Sequence, residues 1–240
     1  MQVDAASAYA VSYTQKAIIA SLLPLYAMTA PLTLFSLPLF PLRTVLFPGG
    51  VLPLRVFEPR YRSMVRGCLE QGAPFGVATL LNGSDVQSPG APAVRFHAVG
   101  TMARIDAAEA LHSGMVHIQC SGQERFRITD SRQLASGLWV ADVALLTPDR
   151  PTPVPDDLAH TVATLRRVLH QLPQHHFHHA SDAQFADCSW VANRWCELFP
   201  MAESLQLSLL ELDSPLLRLE LITDALENSG IVLQPKKHSY

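Results

Sequence analysis

SLPLFPLRTVLFPGGVLPLRVFEPRY, residues 36–61, carries two apolar runs, a Phe47-Pro48-Gly49-Gly50 turn and a Phe57-Glu58-Pro59-Arg60-Tyr61 corner. Proline followed by two glycines suits a turn that needs one fixed φ and then a permissive one. Leu52, Leu54 and Val56 alternate with Pro53, Arg55 and Phe57, the period of a half-buried strand. Pro59 fits the first position of a helix, where a missing N–H costs nothing. Tyr61, Met64, Val65, Cys68 and Leu69 then recur at helical spacing, and Gly72 stops them. The stretch predicts strand, turn, strand and helix in short steps.

Downstream, FGVATLL at 75–81 has the apolar content of a strand, and Asn82-Gly83-Ser84-Asp85 turns the chain into a loop. Val94, Phe96 and Ala98 alternate with Arg95 and His97, and Gly100 then interrupts the pattern as a bulge or close approach would. Val116, Ile118 and Cys120 predict one strand, Phe126 and Ile128 a second beyond Ser121-Gly122, and Trp139–Leu146 a last one. About six short strands with one early helix point to a small, partly closed barrel. Pro148, Pro151, Pro153 and Pro155 then mark an extended linker. Beyond it the period is helical. Leu158, Val162, Leu165, Leu169 and Leu172 share one face; helices around Trp190–Leu198, Leu205–Leu212 and Pro215–Leu226 follow. Ser214 is the N-cap of the last, and there is no internal repeat.

Several ordered blocks carry a resemblance: Leu37-Pro38-Leu39-Phe40-Pro41-Leu42, Leu46-Phe47-Pro48-Gly49, Phe57-Glu58-Pro59-Arg60-Tyr61 and Phe75-Gly76-Val77. A second set is Gly100-Thr101-Met102-Ala103-Arg104-Ile105, Gly122 and Arg125-Phe126-Arg127-Ile128. From about Leu34 to about Leu226 the chain resembles the N-terminal, substrate-binding domain of the Lon protease, a module that also occurs alone. The resemblance implies an α+β fold: a PUA-like β pseudo-barrel with one early helix, followed by a C-terminal helical bundle. The expected division is an extension over 1–33, barrel over 34–147, linker over 148–157, helical part over 158–230 and tail over 231–240. Translation starting at Met28 would account for the extension, and a signal peptide is the weaker alternative there.

With 240 residues, 48% of them hydrophobic, a net charge of −3 and a pI near 6.3, the chain has no global pull toward nucleic acid or anionic lipid. Cys68, Cys120, Cys188 and Cys196 are widely spaced and read as core residues of a reduced, cytoplasmic protein. There is no G-x-x-x-x-G-K-[ST] and no G-x-S-x-G, and lysine stands only at 16, 236 and 237. A serine–lysine dyad therefore has no lysine within the predicted fold. The expectation is a non-enzymatic module without cofactor, metal or membrane span. His175, His176, His178 and His179 read as a solvated loop rather than a metal site, because no Cys or Glu accompanies them.

The expected partners are other proteins or extended peptide segments, acting beside a protease or chaperone system. Contact would fall in the cleft between barrel and helices or on an open barrel edge. Candidate contacts are Phe47, Phe57, Glu58, Arg60, Tyr61, Arg62 and Arg66; Phe47, Phe57 and Tyr61 equally suit a core. Glu58 is placed to pair with Arg104 or Arg125 across the barrel. Arg62 and Arg66, four apart, face water opposite Met64 and Val65. With Arg43, Arg55 and Arg60 they offer the alternative of an RNA-binding PUA-like module. His97, His112 and His117 lack an ordered Ser/Asp partner, so a hydrolase is the weakest alternative.

Overall fold

The computed structural model describes residues 31–82, 95–110, 114–172, 177 and 179–231. The extension with its Met28 start, the loop after Asn82, His112, His175, His176, His178 and most of the tail lie outside the described residues. Seven strands form one sheet: β1 (Thr33–Leu42), β2 (Val51–Val56), β3 (Phe75–Asn82), β4 (Arg95–Phe96), β5 (Val99–Ala110), β6 (Val116–Gln133) and β7 (Trp139–Leu145). Helix α1 (Pro59–Gln71) interrupts them. After them come a 3₁₀ turn at Asp156–Leu158 and helices α2 (Ala159–His170), α3 (Asp182–Phe185), α4 (Cys188–Leu198), α5 (Glu203–Glu211) and α6 (Pro215–Asn228). The order β1-β7-β6-β5-β3 closes on itself because β1 also pairs with β3, in parallel. This closed ring is the predicted pseudo-barrel.

The opening stretch folds as its punctuation predicts. Gly49 has φ +73°, the left-handed conformation that the turn between β1 and β2 requires. Pro59 occupies the first turn of α1, and Gly72 caps its end at φ 62°. Leu52, Leu54 and Val56 point with Ile118 and Cys120 toward α1, which buries Tyr61, Met64, Val65 and Cys68 against them. Leu69, expected on that buried face, is instead 48% exposed.

Two differences concern the strands. Residues 99–110, where the sequence predicts no strand, form the twelve-residue β5. The strands expected on either side of Ser121-Gly122 are one, β6, of eighteen residues. Gly122 marks a close approach inside it rather than a break: its N–H bonds the Gly50 carbonyl at 2.8 Å and its carbonyl accepts from Gly49 at 2.8 Å.

The helices meet the sheet through apolar packing and a set of buried arginines. Phe47 sits fully buried with Leu165, Val191, Trp195 and Leu219, and burying a side chain of this kind contributes about 1.5–3 kcal/mol. Arg125 of β6 donates to the carbonyls of Leu210 and Leu212 at 2.7 and 2.9 Å. Asp149 accepts from both Arg125 (3.1 Å) and Arg218 of α6 (2.7 Å), while Ser189 of α4 donates to it at 2.6 Å. The proline-rich segment is thus pinned as well as extended: Cys188 N–H bonds the Thr152 carbonyl at 2.8 Å and Val154 N–H the Ala186 carbonyl at 3.0 Å. Arg194 of α4 forms a two-pronged pair with Glu197, both bonds 2.7 Å, and stacks 4.4 Å from the centre of the Phe177 ring.

All four cysteines are buried. Burial pushes the Cys120 thiol up to about 12, with help from the Asp106 charge, and Cys196 likewise to about 12. A thiol held that high is almost wholly protonated at pH 8 and cannot attack a disulfide reagent. The native chain is therefore expected to leave such a reagent unreacted for as long as it stays folded, and to release four equivalents of reacted thiol once unfolded in urea. Rapid labelling of the native chain would contradict this.

Candidate functional site

The seven candidate contact residues separate in the structure. Phe47 is 0% exposed, inside the cluster under the helices, and Tyr61 stacks on Phe40 with ring centres 4.1 Å apart. Both are core residues, so neither reaches a partner on the surface. Arg60 also turns inward: its guanidinium donates to the Gly137 carbonyl at 2.8 Å, pairs with Glu58 at 2.9 Å and lies 4.6 Å over the Tyr61 ring. That corrects the expected cross-barrel pair. Glu58 takes Arg60 because both sit at the start of α1, whereas Arg104 is engaged by Asp106 and Arg125 by Asp149. The corner is a staple between α1 and the turn joining β6 to β7.

Phe57, Arg62 and Arg66 remain on the surface. Phe57 is 57% exposed. Arg62 and Arg66 rim a groove of about 410 Å³ between α1 and the β5–β6 hairpin. Its walls are apolar: Val65 and Leu69 from α1, Ala108 and Ala110 from β5, with Met115 and Val116. Register explains the arrangement. Ala108 pairs with Ile118 and Ala110 with Val116, so both alanines project on the face that α1 covers, beside Val56, which pairs with Val116 from the other side. Phe57 follows directly on Val56. No carboxylate among the described residues lies within ion-pair distance of Arg62 or Arg66.

The five arginines of the predicted basic stripe do not form one surface. Arg60 is turned into the fold, and Arg55 pairs across β6 with His117, on the face opposite α1. His97 lies 3.5 Å from Glu211, and its Nδ1 sits 3.3 Å from the Val99 N–H nitrogen and 3.2 Å from the Val99 carbonyl. No cluster of three or more potential metal ligands occurs among the described residues. None of their helices is long and apolar enough to cross a membrane.

Two clefts follow the line between sheet and helices. One, about 280 Å³, is lined by Pro48, Gly122, Arg125, Asp149 and Ser189; the other, about 240 Å³, by Thr44, Leu52, Phe177, Glu197 and Gln206. Neither is lined by any of the seven candidates; Arg125 and Asp149 of the first pair with each other, and Glu197 of the second pairs with Arg194. The α1 groove alone combines predicted residues, apolar walls and uncommitted charge among the described residues. Its helical wall is legible in the sequence through the four-residue spacing of Arg62 and Arg66. Its other wall is missed, because Ala108 and Ala110 carry no pattern of their own.

Over residues 36–228 the chain matches the ATP-dependent protease La (LON) substrate-binding domain. It is 34% identical to the Lon N-terminal domain protein of Xanthomonas campestris, whose crystal structure superposes with a TM-score of 0.63 over 80% of this chain and 98% of that one. Protein cereblon of Xenopus tropicalis is 31% identical over 124 residues, 50% of this chain and 26% of that protein. Lon protease of Flavobacterium johnsoniae is 27% identical over 152 residues, 63% of this chain and 18% of that protein. The chain thus spans about a quarter or less of the length of these curated relatives.

Proposed function

Because the chain belongs to the family of the ATP-dependent protease La (LON) substrate-binding domain, we propose that it is a non-enzymatic recognition module that binds extended segments of other proteins in the cytoplasm. The observation that supports this most directly is the groove beside α1, where Leu69, Ala108 and Ala110 lie open to solvent under two uncommitted guanidiniums. An unfolded or extended client supplies both things such a groove takes up, apolar side chains and a backbone free to pair. The sequence between Lys16 and Lys236 holds neither a phosphate loop nor a lysine for a dyad, which supports recognition as the whole of the activity in these residues. The test is fluorescence anisotropy of the full chain with labelled extended peptides, beside assays of ATP hydrolysis and of cleavage of a denatured protein. Peptide binding with both assays blank is the expected result. ATP turnover or cleavage by the pure chain, or no binding of any peptide, would overturn the proposal.

A further inference from the structure

The β5–β6 hairpin extends beyond the closed ring, and its two flanks are different. Strand β3 pairs with β5 only over Thr101–Ala103. From Ile105 to Ala110, β5 pairs with β6 on one side and with no strand on the other among the described residues. That leaves an edge of six residues, roughly 20 Å of backbone at the rise of an extended chain. The opposite flank of the same arm is β2, which carries Pro53. Proline cannot donate to an added strand and is a common guard of sheet edges. The β5 flank has no proline, and it is the one that borders the groove.

We propose that this groove takes an extended segment that adds as a strand to the outer edge of β5, sets apolar side chains against Ala108, Ala110, Val65 and Leu69, and presents acidic side chains to Arg62 and Arg66. This rests on the protein-recognition reading above and assigns its geometry and its preferred charge. Small alanine side chains on the β5 side leave room for the incoming residues, and an extended chain sends every second side chain to that wall. The charge follows from what surrounds it. Arg62 and Arg66 have no carboxylate partner among the described residues. Glu109 pairs with His117 and so projects on the opposite face, and Asp106 is bonded to Arg104 and Ser121 at 3.0 and 3.1 Å. An acidic segment therefore meets two free cations and no opposing charge in the groove, and a basic one meets repulsion.

The experiment uses the full chain and a fluorescein-labelled peptide of about ten residues, enough to span the edge, with valine at alternate positions and glutamates at both ends. Its partner has lysine in place of glutamate. The acidic peptide is expected to bind at least about tenfold more tightly, and Arg62→Glu with Arg66→Glu is expected to reverse the preference. Both arginines reach solvent, so the double variant should keep the wild-type melting temperature. Methylating alternate peptide amides tests the strand independently of any protein variant. One alternating set faces β5 and should cost about tenfold or more, while the other should cost little. Binding indifferent to charge, or to which set is methylated, overturns the groove assignment while the recognition reading stands. If no peptide binds, the recognition reading falls too, and single-stranded RNA retained through Arg62 and Arg66 in that case would put a nucleic acid in its place.

Discussion

Replacing Asp149 with alanine is expected to destabilise the fold by about 3–5 kcal/mol, because it removes the one buried carboxylate that two buried guanidiniums share. Arg125 and Arg218 are almost wholly withdrawn from solvent and come from opposite sides of the structure, β6 and α6. Removing their common partner leaves two charges withdrawn from water, with neutral oxygens of Leu209, Leu210, Leu212 and Asn193 still bonded to them but no buried counter-charge. Asp213 also reaches Arg125, at 3.3 Å, but its side chain is 84% exposed and solvent screens it. Asp213→Ala therefore serves as the matched control, with an expected change of about 0.5 kcal/mol or less. For a chain of this size the Asp149 effect corresponds to about 6–20 °C in melting temperature. Equal losses from the two variants would show that the network is not what joins helices to sheet.

The same carboxylate gives the fold a pH dependence with a definite sign. Burial raises its pKa, but hydrogen bonds from Arg218 and Ser189 and the charges of Arg218 and Arg125 outweigh burial, and the net shift is below the ordinary 3.8. The unfolded chain is then protonated first as the pH falls. The stability contributed by Asp149 is whole above about pH 4 and drains away as the pH drops through the folded value, so wild type and Asp149→Ala should converge in acid. Glu197 acts oppositely, since its burial outweighs Arg194 and raises it. The difference between wild type and variant, not the wild-type curve alone, therefore reports on Asp149.

How much of this was legible in sequence depends on where the structural information resides. The path from β1 through the glycine turn to β2 and α1 is local: alternation, a proline at a helix start and a glycine at its end each dictate one conformation. The C-terminal helices are local too, and the Ser214 cap forms as expected, its hydroxyl accepting from the Leu217 N–H at 3.3 Å. Strand β5 is not. Ile105–Ala110 (IDAAEA) contains residues poorly suited to strands, and only pairing with β6 makes it one. The buried arginines share that character. Nothing near Arg125 or Arg218 announces burial, because the carboxylate they share, Asp149, lies 24 and 69 residues away. Arg194, although its partner Glu197 is only three residues on, also bonds the Pro48 carbonyl 146 residues away. The groove is half legible for the same reason, with its charged wall on one helix and its alanine wall on a strand defined by tertiary pairing.

Gly122→Val is expected to cost about 3 kcal/mol, near the top of the range for overpacked sites, although the substitution adds only apolar atoms to a strand. A β-branched residue would ordinarily favour such a position. Here the turn after Phe47 lies directly against β6, held by the two 2.8 Å bonds between Gly122 and the Gly49-Gly50 pair. A Cβ on Gly122 would stand 2.2 Å from the Phe47 carbonyl oxygen and 3.2 Å from its carbon, and those are backbone atoms that no rotamer change can move aside. Relieving the clash means lifting the turn, and the turn carries Phe47, whose ring fills the cluster beneath α4 and α6. The loss should therefore reach beyond the strand. Amide exchange in Cys188–Leu198 is expected to quicken in Gly122→Val along with exchange in the turn. If only the turn and neighbouring β6 amides respond, Phe47 does not transmit the strain, and the turn is a local feature of the sheet rather than the seat on which the helices rest.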